Sequence, residues 1–136
     1  MKIFAFDRDE TVDVNGGPIP LGWVHWLARE THHQVWAVGN QLLVDEAGIP
    51  GVEEMERRTG QSHEELLVDV PPHIREQHRS NVKGKMQRLM LLDQIYSVAS
   101  AKIVIDDYDL AHVDGWEYFT PERFMERWGH YFPDTR

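Results

Sequence analysis

Short apolar runs of strand length alternate along this chain with longer stretches whose apolar residues recur every three or four positions. The first run, Ile3-Phe4-Ala5-Phe6, has the length and continuity of a buried strand. Asn15-Gly16-Gly17-Pro18 is turn chemistry. A helix is then predicted over Leu21 to Thr31, with Leu21, Val24, Leu27 and Ala28 on one face. Val35-Trp36-Ala37-Val38 reads as a second buried strand, closed by Gly39-Asn40. Leu42 to Ala47 predicts a short helix stopped by Gly48 and Pro50.

The pattern weakens from Gly51 to Asn81. Ser62-His63-Glu64-Glu65 has capping-box spacing, which allows a helix start there. Leu66 to Val70 fits either its continuation or a strand, and Pro71-Pro72 ends both. From Asn81 to Ala99 the signal is helical again, with Met86, Leu89, Met90, Leu92, Ile95, Tyr96 and Ala99 forming a wide stripe. Lys102 to Ile105 predicts a buried strand and Trp116 to Phe119 another. Thr120-Pro121 then caps a last helix over Glu122 to Trp128. Strands alternating with helices imply an α/β fold around a mostly parallel sheet, in a single domain over 1–136.

Composition narrows the function classes. A chain of 136 residues has room for one sizeable core. No apolar run reaches membrane-spanning length, and the N-terminus reads as a strand rather than a signal peptide, so a cytoplasmic protein without membrane contact is expected. Cysteine is absent, which removes disulfide and thiolate chemistry. A formal charge of −9 without a basic stripe argues against nucleic-acid binding. Of the 14 basic residues only Lys2, Lys83, Lys85 and Lys102 are lysine, and an acidic, lysine-poor surface is one that a salt-adapted, halophilic cytoplasm favours. Ordinary variation in a small acidic protein is the alternative. The eight histidines lack zinc-binding helical spacing, and His32-His33 reads as a surface pair. The five tryptophans read as core residues.

Chemistry concentrates where two apolar runs end in acids. The first strand is followed by Asp7-Arg8-Asp9-Glu10-Thr11, and the run ending at Ile105 by Asp106-Asp107-Tyr108-Asp109. Residues i and i+2 of a strand share a side, so Asp7 and Asp9 are expected to converge. Carboxyl ends of parallel strands are where open α/β sheets bind ligands. The block of four apolar residues followed by Asp-x-Asp-x-Thr resembles the first motif of the haloacid dehalogenase (HAD) superfamily. That resemblance implies a Rossmann-like three-layer sandwich, and the spacing leaves no room for a large cap.

The resemblance also implies roles. Asp7 falls on the nucleophile that accepts a phosphoryl group, and Asp9 on the general acid/base, whose backbone carbonyl usually joins the metal shell. Thr11 falls on the supporting threonine. Lys83, followed by Gly84, matches the third-motif lysine, with Lys85 as the alternative. Asp106 and Asp107 match the fourth motif and would complete a Mg²⁺ site with Asp7, with Asp107 the first choice for direct ligation. The second motif departs from the family: Val38 stands where a serine or threonine hydroxyl would hold phosphate, and valine has no hydroxyl to donate. Backbone N–H groups of Gly39 and Asn40, or the Asn40 amide, are the substitutes.

These residues together imply a Mg²⁺-dependent phosphohydrolase acting on a phosphate monoester through an aspartyl-phosphate. The partner expected is a phosphorylated substrate, small or macromolecular, and an uncapped site leaves room for closure by a homodimer. A non-catalytic HAD-like module that binds Mg²⁺, phosphate or a protein is the first alternative. A receiver-like domain phosphorylated on aspartate is the second, although such domains lack Asp-x-Asp-x-Thr after the first strand.

Overall fold

A computed structural model describes residues 1–62 and 72–133, with side chains of its longest helix described from residue 84 onward. Strand β1 (Lys2–Phe6) lies at the centre of the sheet, with β2 (Gln34–Ala37) on one side and β3 (Ala101–Ile105) on the other. Strand β4 (Glu117–Phe119) pairs with the far edge of β3. All these pairings are parallel, in the order β2-β1-β3-β4. Helices α1 (Leu21–Glu30), α2 (Leu42–Ala47), α3 (Val52–Thr59), α4 (Pro72–Ile95) and α5 (Pro121–Trp128) complete the α/β fold among the described residues.

The continuous apolar runs follow from burial on both faces, which a parallel sheet requires. Alternation divides each strand between two cores. Ile3, Ala5, Trp36, Val38 and Val104 pack with Met55 of α3 and with Met86, Leu89 and Leu92 of α4. Phe4, Phe6, Val35, Ala37, Ile103 and Ile105 pack with Trp23, Val24 and Leu27 of α1, Leu43 of α2 and Phe124 of α5. Thr120 accepts from the Arg123 N–H at 3.1 Å and Pro121 opens α5, as the sequence predicts.

Two expectations change, and one helix is added. Helix α3 was not legible, since Met55 is its one buried residue; Glu54 pairs with Arg57 and Arg58 on its surface. Helix α4 begins at Pro72 rather than near Asn81 and ends at Ile95, short of Ala99. His33 is buried rather than a surface residue, because its Nδ1 accepts the Lys2 N–H at 3.1 Å and ties the starts of β1 and β2 together. The proposed capping box beginning at Ser62, and the run from Leu66 to Val70, lie largely outside the described residues. Among the described residues no helix is long and apolar enough to cross a membrane.

Candidate functional site

Register and alternation place the acids. Phe6 pairs with Ile105, so the next residues, Asp7 and Asp106, leave the sheet side by side. Each continues the parity of Ala5 and Val104, which faces α4. The backbone holds both at the strand exits: Asp7 N–H donates to Ile105 O at 3.0 Å, and Asp106 N–H to Phe119 O at 3.2 Å. Asp106 Oδ1 then accepts Tyr108 N–H at 2.9 Å, an Asx turn that carries Asp107 outward.

Among the described side chains of α4, Lys85 reaches this pair. Lys85 Nζ lies 2.9 Å from Asp106 Oδ2 and 3.4 Å from Asp7 Oδ1, and donates to Asp106 Oδ1 at 3.1 Å. Its contact with Oδ2 is one of charge without hydrogen-bond alignment, so that fully buried oxygen lacks a directed donor. The structure thus seats Lys85 against the carboxylates, where the sequence reading preferred Lys83. Lys83 lies two positions earlier on α4, and its side chain is outside the described residues. Thr11 is buried and donates to Asp7 Oδ2 at 3.2 Å.

Burial dominates the electrostatics. It raises Asp7 from 3.8 to about 7, helped by the neighbouring Asp106 charge and opposed by Lys85. Asp106 rises to about 6, again from burial first, with Lys85 pulling the other way. Burial works against the Lys85 ammonium, but Asp106 and Asp7 outweigh it and hold the lysine above its ordinary value.

Oxygens of Asp7, Asp106 and Asp107 lie within 4.8 Å of one another and could hold a metal ion. The donors are all carboxylate oxygen, the set hard divalent cations prefer. Asp106 Oδ2, buried and without a directed donor, fits the same need. Asp107 is exposed and lines an open cavity of about 810 Å³ beside the cluster, together with Asp7, Lys85 and Tyr108. Asp109 is turned to its own loop, accepting Ala111 N–H at 2.9 Å.

Asp9 does not join the cluster. The strand-like convergence expected of Asp7 and Asp9 fails because the chain turns directly after β1, with Thr11 and Val12 N–H both bonding to Arg8 O. Asp9 lines the same cavity from the turn, its carboxylate accepting from Arg8 Nη1 and Asn15 Nδ2, each at 2.8 Å, and from Asn40 Nδ2 at 3.4 Å. The Asn15 bond leads in holding Asp9 below its ordinary pKa, with Arg8 and Asn40 adding to it. Arg8 is itself fixed by Glu46, at 2.7 and 2.9 Å.

The end of β2 supplies space and backbone. Val38 is fully buried in the core facing α4, so its side chain is committed to packing. Gly39 lets Asp7 approach, since a Cβ there would sit 2.0 Å from Asp7 Oδ1. Gly39 and Asn40 both line the cavity, and Asn40 Oδ1 accepts Leu42 N–H at 2.9 Å at the start of α2. Glu10 and Arg88 also line the cavity, and the sequence argument gives neither a site role. Glu10 adopts a left-handed backbone with φ of 60°, uncommon for a side chain of its size. Arg88, one turn beyond Lys85, donates through Nη1 to Val38 O at 2.7 Å and Gly39 O at 2.9 Å. Its spacing from Lys85 was the available signal, but α4 carries several arginines with the same appearance. Compared with protein-family models, curated proteins and solved structures, the chain matches none.

Proposed function

We propose that this protein is a capless HAD-like phosphohydrolase with a Rossmann-like three-layer architecture, dependent on Mg²⁺ and acting on a phosphate monoester. The observation that carries the reading is the buried Asp7–Lys85–Asp106 cluster beside Asp107, at the mouth of an open cavity and at adjacent strand ends. Asp7, Asp106 and Asp107 would hold Mg²⁺, with the Asp9 backbone carbonyl joining them as the family resemblance implies. The bound cation would neutralise charge between Asp7 and the incoming phosphate.

Asp7 Oδ attacks phosphorus, and the bond from phosphorus to the leaving oxygen breaks. The leaving oxygen takes a proton from Asp9 when that carboxyl is protonated, or departs as the anion when, like a phenolate, it is stable without one. A water then attacks phosphorus, gives its proton to Asp9 and breaks the acyl-phosphate bond between Asp7 and phosphorus, releasing phosphate and restoring both carboxyl groups. Lys85 opposes the negative charge that builds on Asp7 and the phosphoryl oxygens. Thr11 fixes the Asp7 rotamer through its hydroxyl. Arg8, Asn15 and Asn40 favour ionised Asp9, the form that takes a proton from water.

An aryl phosphate, whose phenolate leaves with little help from Asp9, is the suitable first substrate. The test is its hydrolysis with and without Mg²⁺, from low to molar salt, by wild type and Asp7→Asn. Metal-dependent turnover lost in Asp7→Asn supports the reading. The buried Val38, with no hydroxyl offered to the cavity, favours a second reading: a module that binds Mg²⁺ and phosphate without turnover. Stabilisation of wild type by Mg²⁺ with no hydrolysis at any salt would establish that alternative. Its localisation to the cytoplasm and closure of the site by a homodimer belong to the same proposal.

A further inference from the structure

We propose that Arg88 is the phosphate-holding residue of the cavity, supplying from α4 the donors that the end of β2 lacks. This inference rests on the phosphohydrolase reading, whose Asp7 and metal site fix where the phosphoryl group must lie. Val38 O and Gly39 O take Nη1 at 2.7 and 2.9 Å, which orients the guanidinium plane at the strand end. Nε is buried without an acceptor among the described residues, so a phosphate oxygen entering beside Nε and Nη2 would supply the partner that Nε lacks. The edge these two nitrogens share is the fork that matches two oxygens of a phosphate.

The position is close to the proposed nucleophile. Asp7 Oδ1 packs against Gly39 so tightly that no Cβ fits between them, and the same glycine's carbonyl binds Arg88. No carboxylate lies within salt-bridge distance of Arg88 among the described residues, whereas Lys85 is already paired with Asp7 and Asp106. Burial works against its charge, with Glu56 and Asp7 partly compensating, so a phosphate dianion would find an under-neutralised cation.

Charge balance leads to the same assignment. Asp7, Asp106 and Asp107 against Lys85 leave two negative charges when all are ionised, which one divalent cation neutralises. The incoming phosphate dianion then needs a further cation, and among the described residues Arg88 is the one lining the cavity beside Lys85.

The experiment is calorimetric titration of inorganic phosphate into wild type, Arg88→Met and Arg88→Lys at saturating Mg²⁺, with Mg²⁺ titrated separately without phosphate. Loss of a bidentate charge-assisted contact predicts phosphate binding weaker by about 10- to 100-fold in Arg88→Met. Arg88→Lys keeps the charge and loses the fork, so its loss is smaller, and Mg²⁺ affinity stays within about twofold in both variants. Unchanged phosphate affinity in a folded variant overturns the assignment and leaves the phosphohydrolase reading standing. Phosphate and Mg²⁺ affinities falling together also overturn it, since that is the signature of a residue that only anchors the β2 end. If Arg88→Met fails to fold, Arg88→Lys decides by the same criteria. Wild type that binds Mg²⁺ but no phosphate defeats the phosphate-site reading itself.

Discussion

Replacing Gly39 with alanine places a methyl group where the Asp7 carboxylate now lies. The added Cβ would be 2.0 Å from Asp7 Oδ1, 3.1 Å from its Cγ and 3.2 Å from its Cα, where ordinary contacts begin at 3.4 Å. Rotation of the carboxylate relieves the first clash but breaks its 3.2 Å bond from Thr11 and its 3.4 Å approach to Lys85. The contact with Asp7 Cα cannot be relieved that way, because it requires β1 and β2 to separate beside the 3.0 Å bond from Val38 N–H to Phe6 O. Overpacking of this kind costs about 1–3 kcal/mol. Misplacing one of three clustered carboxylates should weaken divalent-cation binding by about 10- to 100-fold, the range seen when ligand-orienting groups are lost. Urea denaturation and Mg²⁺ calorimetry on Gly39→Ala read the two effects separately. Wild-type stability together with wild-type Mg²⁺ affinity would refute the argument that Gly39 exists to admit Asp7.

Metal-free stability should fall as pH rises from about 4 to about 7. Folded Asp7, raised from 3.8 to about 7, keeps a proton there that the unfolded chain has released. Urea melts in chelator should show a steeper decline for wild type than for Asp7→Asn, which keeps only the Asp106 share, and parallel pH curves would refute it. Lys85→Met leaves two buried carboxylates without their shared cation, a loss of about 3–5 kcal/mol near pH 8 in chelator. That loss should shrink near pH 5, where Asp7 and Asp106 are protonated, and a pH-independent loss would contradict the pairing. Thr120→Ala removes the α5 cap and should cost about 1 kcal/mol in thermal melts without changing Mg²⁺ affinity.

Much of this molecule is written locally in its sequence. Strands β1, β2 and β3 are apolar on both faces, so their runs are continuous and their ends abrupt. The acids at those ends, Asp7, Asp106 and Asp107, meet because Phe6 and Ile105 are register partners. What failed depends on longer-range geometry. Helix α3 hides one side chain, Met55, and advertises itself mainly through its Glu54–Arg57 and Glu54–Arg58 pairs, a weak signal. Lys83 and Lys85 are two positions apart, and no local rule decides which of them faces a sheet end. Asp9 obeyed strand alternation in the sequence argument, but the turn at Arg8 removed the strand before alternation could apply. Arg88 carries no motif; its place is defined by Val38 and Gly39 carbonyls, 50 and 49 residues away.

The most direct test of the central claim is chemical trapping of the phosphorylated residue. Wild type turning over an aryl phosphate with Mg²⁺ would be quenched with borohydride, which reduces an aspartyl-phosphate to homoserine, and its peptides mapped by mass. The account predicts conversion at Asp7 alone, dependent on Mg²⁺ and substrate. Turnover with Asp7 unmodified, or conversion at Asp9, Asp106 or Asp107 instead, would contradict it.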